Sequence, residues 1–162
     1  MATFDQLSAE QRAIVELMLQ RGTWFVPTLV APQGVLDAVD AGVSLPPVVV
    51  DKARMVIDIH RAAFRRAVEA GVRIAMGTDS GVTPHGRNLR ELQLMADGGM
   101  APGAVLEATT RSAAELLGVD DDLGTIAEGK LADLVVVAGD PYDFTDLADR
   151  VEQVWQTGRR SI

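Results

Sequence analysis

The chain has 162 residues, no cysteine, 48% hydrophobic residues, and 23 acidic against 15 basic side chains, for a formal charge of −8. That apolar content, with a mean hydropathy of +0.13, excludes a disordered chain, and the lack of cysteine excludes a disulfide framework. The acidic balance, without a basic stripe, argues against nucleic acid or an anionic membrane as partner, and no apolar run approaches the roughly 20 residues of a membrane span. The opening MATFDQLSAE lacks the basic start and apolar centre of a secretory signal, so a soluble, cytoplasmic protein is expected.

Helical and strand patterns alternate along the chain without an internal repeat, which predicts a parallel α/β architecture. Ser8 followed by Gln11 fits a capping box, and Ile14, Val15, Met18 and Leu19 then recur at helical spacing up to Gly22. Trp24, Phe25 and Val26, continuing past Pro27 to Leu29 and Val30, form a β-favouring run whose end Pro27 places near Thr28. A loop punctuated by proline and glycine is expected next. Pro46 and Pro47 then open a long helix with Val48, Met55, Val56, Ile59, Ala63 and Ala67 as its apolar stripe, stopping before Gly71. His60 lies on this helix and reads as a packing or surface histidine.

The segment from Gly71 to Gly81, GVRIAMGTDSG, carries the most information. Arg73 to Met76 are too few for a helix and follow a glycine, while Gly77, Ser80 and Gly81 let the backbone turn. Asp79 therefore stands at the C-terminal end of a strand, the end where ligands gather in parallel α/β folds. A cap or turn role for the same aspartate fits the spacing equally well. His85 follows in the loop Thr83-Pro84-His85-Gly86. Arg87 and Asn88 begin a helix with Leu89, Leu92 and Met95 on one face until Gly98-Gly99, and Arg90 and Glu91 read as solvated charges. Another helix runs from Pro102 through Val105, Leu106, Ala113, Leu116 and Leu117 to Gly118. Thr109, Thr110 and Ser112 sit mid-helix, where hydroxyls back-bond or pack, and with no histidine base nearby in sequence they do not suggest a serine-type nucleophile. Short β-type runs at Gly124–Ile126, Leu134–Val137 and Val151–Trp155 should pair antiparallel.

GTDSGVTPHGRNLREL (Gly77 to Leu92) and GTIAEGKLADLVVVAGDP (Gly124 to Pro141) resemble the C-terminal part of the metal-dependent amidohydrolase superfamily, in its imidazolonepropionase-like and Xaa-Pro dipeptidase-like branch. The resemblance implies the last strands and helices of a (β/α)8 TIM-type barrel over residues 1–118, then strands of a small β-sandwich over 119–162. It makes Trp24 to Val26 the seventh barrel strand, with Thr28 at the rim. Asp79 becomes the eighth-strand aspartate, a metal ligand that helps activate the attacking water. It also implies that His85 overlooks the substrate pocket, an exposed loop histidine being the alternative, and that Asp133 and Asp140 organise turns.

The same family draws further ligands from a His-x-His pair, a lysine and two more histidines. None has a match among the two histidines here, His60 and His85. A full barrel takes about 250 residues, so the chain reads as a C-terminal fragment. Two functions are expected in competition. One is part of a divalent-metal, zinc-dependent hydrolase of amide or cyclic amide C–N bonds in a small, dipeptide-like substrate, inactive until the missing N-terminal part or another chain completes it. The other is a non-catalytic packing or oligomerisation module. Open strand edges would favour association, including a homo-oligomer.

Overall fold

Ser8 opens the first helix through a reciprocal pair of bonds. In the computed structural model, which describes residues 7–81 and 85–162, the Ser8 hydroxyl accepts from the Gln11 N–H at 3.2 Å and Gln11 Oε1 accepts from the Ser8 N–H at 3.3 Å. This closes the capping box. The helix, α1 (Ala9–Arg21), ends at Gly22 with φ 60° and buries none of its residues. Strand β1 (Trp24–Phe25) follows and pairs in parallel with β2 (Arg73–Ile74), Trp24 opposite Arg73 and Phe25 opposite Ile74. The Arg73 guanidinium lies 3.8 Å over the Trp24 ring and donates to Glu115 at 2.9 Å, so one side chain ties both strands to a later helix.

Between the strands lie α2 (Val30–Asp40) and α3 (Pro47–Glu69). The first corrects the expectation of a loop after Val30. Pro32 falls in the first helical turn, where its missing N–H has no intrahelical partner to lose. The second starts and stops where expected and buries Ala67 of the predicted stripe, but the rest of its buried face is Val50, Ala53, Ile57 and Phe64. Met55 and Ile59 of the predicted stripe are 67% and 68% exposed. Apolar residues stand on both sides of this helix, so spacing alone does not decide which side turns inward.

Next come α4 (Arg90–Asp97), α5 (Pro102–Thr109) and α6 (Arg111–Leu117). The single helix expected from Pro102 is broken at Thr110, with φ −118° and ψ −87°. The Thr109 and Thr110 hydroxyls bond back to Val105 O at 2.8 Å and Leu106 O at 2.7 Å, as mid-helix hydroxyls do. Leu29, Phe64, Ile74, Leu92, Met95 and Val105 form the core together with Phe144 and Leu147. Phe64 packs so closely on Gly98 that a Cβ there would come within 2.5 Å of its ring.

The tail forms one antiparallel sheet, β3 (Leu134–Val137), β4 (Val151–Gln156) and β5 (Arg159–Arg160), in the order β3-β4-β5. The run Gly124–Ile126 makes no strand; Ile126 is 90% exposed. Strands of a β-sandwich were expected over 119–162, and the described residues there give one sheet of three strands. Asp133 Oδ1 accepts from the Thr157 N–H at 2.7 Å and Asp140 Oδ1 from the Tyr142 N–H at 2.9 Å, the turn roles expected of them. Strand β3 is a sheet edge with Val135 and Val136 exposed. The parallel sheet has two strands, so no closed barrel is present among the described residues. No helix among them is long and apolar enough to cross a membrane.

Candidate active site

The two parallel strands each lead into a residue in the left-handed region. Beyond β1 the chain reaches Thr28 at φ 53°, and beyond β2 it reaches Asp79 at φ 50°. Aspartate tolerates that conformation, whereas for β-branched threonine it is an outlier. Past Ile74 the backbone is still held: the Ala75 N–H donates to Phe25 O at 3.2 Å and the Met76 N–H to Ala108 O at 2.9 Å. Gly77 then passes against β1, where a Cβ would stand 2.5 Å from Val26 Cγ1. Only glycine allows this approach. Asp79 emerges exposed beyond the C-terminal end of β2, with the Thr78 and Ser80 hydroxyls 2.8 Å apart on either side of it.

His85 is exposed on the same connection, while Thr83 and Pro84, which precede it, lie outside the described residues. Thr28 directs its hydroxyl back to Val26 O at 3.4 Å. His60 is half-buried on α3, in keeping with a packing or surface role.

Glu91 departs from the sequence reading. Taken there as a solvated helix charge, it is 0% exposed. Its Oε1 accepts from the Leu29 N–H at 2.8 Å and its Oε2 from the Val30 N–H at 2.6 Å. Those amides begin α2, whose N-cap, Leu29, has no side chain able to accept. A helix N-terminus leaves N–H groups unpaired and carries the positive end of the dipole, so a carboxylate from another helix serves as the cap. Burial pushes the Glu91 carboxyl up to about 7, against the two N–H bonds, which pull it down. A trace was present in the sequence, since Glu91 stands four residues before Met95 and shares its inward face. Next to it, Arg90 pairs with Asp37 of α2. Asp37 Oδ1 accepts from Gln33 Nε2 at 3.0 Å, and Gln33 Oε1 from Arg61 of α3 at 2.7 Å. Consecutive residues of α4 thus grip both ends of α2.

An open groove of about 470 Å³ lies beyond this connection, lined by Arg87, Arg90, Phe144, Asp146 and Asp149 among others. Neither Asp79 nor His85 lines it.

A sequence profile of the amidohydrolase family matches residues 8–160. The chain belongs to the amidohydrolase family. It is similar to ochratoxinase from Aspergillus niger, 29% identical over 164 residues that make up 97% of this chain and 33% of the relative. It is also similar to imidazolonepropionase from Shouchella clausii, 32% identical over 139 residues, 80% of this chain and 30% of that protein. A solved structure of a Xaa-Pro dipeptidase with methionine bound in its active site superposes with a TM-score of 0.79 at 36% identity, covering 90% of this chain and 36% of that one. The chain therefore spans about a third of the length of these relatives. Amidohydrolases generally use divalent metal ions, and the residues here can be tested for that. Among the described residues no three His, Cys, Asp or Glu side chains gather closely enough to hold an ion. Asp79 is one candidate donor, and a four-coordinate site needs three or four; the described residues do not make a metal site on their own.

Proposed function

We propose that this chain supplies the carboxylate side of the active-site rim in an enzyme that hydrolyses amide or cyclic amide C–N bonds of small, dipeptide-like molecules. The observation that supports it most is Asp79, held in a left-handed turn beyond the C-terminal end of a strand that runs parallel to its neighbour, in an amidohydrolase chain. In this reading Asp79 takes a proton from the attacking water and returns it to the leaving nitrogen, and His85 contacts the substrate. Residues 1–118 are the barrel part and 119–162 the β-rich part. Among the described residues, Asp79 is the single donor this chain would bring to a divalent ion, zinc in this proposal. The other donors would come from the rest of the protein or from a partner chain. In the full-length protein, Asp79→Asn should lower hydrolysis of Xaa-Pro dipeptides and N-acyl amino acids by roughly 10²- to 10⁴-fold at unchanged melting temperature. Activity within a factor of three of the parent would sink the assignment.

The single candidate donor also favours a second reading, a non-catalytic packing or oligomerisation module. Calorimetry on the 162-residue chain alone should detect no tight stoichiometric zinc binding. If supplying the N-terminal part then restores metal-dependent hydrolysis, the enzyme reading holds; if it restores only solubility, the module reading does.

A further inference from the structure

The loops leaving β1 and β2 are joined through one buried side chain. From β2 the chain passes Asp79 and His85 and enters α4, whose second residue is Glu91. From β1 it passes Thr28 and enters α2, whose first amides both donate to that glutamate. We propose that Glu91 is a positioning residue: by capping α2 from α4, it holds Thr28 in its left-handed turn and fixes the start of α4 relative to the loop that follows β1.

Three observations carry this. Two adjacent N–H groups are met by two oxygens of one side chain at 2.8 and 2.6 Å, a match that a carboxylate makes and an amide cannot, since an amide has one acceptor oxygen. The site is closed to water, because Leu29, Val30 and Glu91 are all buried, so neither N–H has a substitute partner. And the conformation being held is strained, since left-handed threonine persists only where its surroundings over-determine it. The charges around Glu91 are engaged with other groups: Arg90 of α4 with Asp37 of α2, and Arg61 of α3 with Gln33 of α2. Arg65 of α3 also has a partner, and Asp97 at the far end of α4 accepts from Gln93 at 2.8 Å. The raised carboxyl, at about 7, makes the clamp sensitive to pH in the neutral range.

The test uses the intact protein labelled with 15N-leucine and 15N-valine and stands apart from the hydrolase reading, because it reads amides and not turnover. The Leu29 and Val30 amide resonances should move together with one midpoint near 7 and exchange slowly with solvent. Glu91→Gln keeps the volume but loses an acceptor; it should abolish that titration and speed exchange at one or both amides at least tenfold, leaving Leu92 and Val105 unchanged. Glu91→Asp, with both oxygens on a shorter stem, should keep the titration with partial protection. A titration of the Leu29 and Val30 amides that survives Glu91→Gln would overturn the proposal. So would equal acceleration at Val105, which marks general loosening. If the glutamine variant does not fold, the unaltered protein decides: separate midpoints, or none, at Leu29 and Val30 would refute the clamp.

Discussion

The ends of the two parallel strands are alike in backbone and opposite in environment. Thr28 and Asp79 share the left-handed conformation, but the turn at Thr28 runs into two amides pinned by a buried carboxylate, while Asp79 stands in solvent. The buried acid is satisfied entirely by backbone donors within the chain. The exposed acid has no hydrogen bond to its carboxylate among the described residues. A buried acid that holds structure and an exposed one are thus told apart by burial and hydrogen bonding, even though each stands near the end of a parallel strand.

That contrast can be broken most forcefully at Glu91. Glu91→Ala would leave two buried N–H groups unpaired beside a void and, with the parent carboxyl protonated at about pH 5, should cost about 3 kcal/mol in urea unfolding. A loss below about 0.5 kcal/mol would mean that the clamp contributes nothing. A similar magnitude is expected from pH alone. The folded carboxyl at about 7 lies above its ordinary 4.5, so the fold binds a proton that the unfolded chain has released. The stability this group contributes is therefore complete below about 4.5 and lost as pH rises through about 7, to the extent of about 3 kcal/mol. Melting curves of the parent should fall over that interval relative to Glu91→Gln, and parallel curves would contradict the shift. Gly77→Ala tests how the two strand ends stay adjacent. The added carbon meets Val26 Cγ1 at 2.5 Å, for an expected loss of about 1–3 kcal/mol; an unchanged urea midpoint would show that the strands part freely. The smallest stability effect belongs to the open end. Asp79→Asn should change unfolding free energy by less than about 0.5 kcal/mol, because the side chain is exposed and asparagine tolerates the same φ. A larger loss would make Asp79 a structural residue after all.

A second contrast within α3 bears on association. Phe64 is fully buried on one face while Met55 and Ile59 stand mostly exposed on the other, and β3 leaves a strand edge open with Val135 exposed. Open apolar surface of this kind is where a partner would gain most.

Much of the local structure was legible in the sequence because its causes are local. Ser8 and Gln11 define a capping box within four residues, Pro47 and Gly71 bracket one helix, and Gly77 to Gly81 announce a strand that must turn. The place of Asp79 beyond a strand end was legible for that reason. What was misread depended on neighbours remote in sequence. Pro32 and Gly34 looked like a loop because the cap that starts α2 comes from Glu91. The stripe on α3 was assigned to Met55 and Ile59 because both faces are apolar. The helix from Pro102 was read through Thr110, and Gly124–Ile126 was read as a strand although nothing pairs with it.

By itself, then, the sequence determined the family motifs, the parallel pair of strands and the place of Asp79 beyond the end of one of them, because turn chemistry, caps and strand propensity act over a few residues. The tertiary structure alone decided which helix faces are buried and that Glu91 is a buried cap instead of a surface charge. The physical reason is that burial and hydrogen-bond satisfaction depend on groups brought from some 60 positions away, a distance over which no local pattern in the chain carries information.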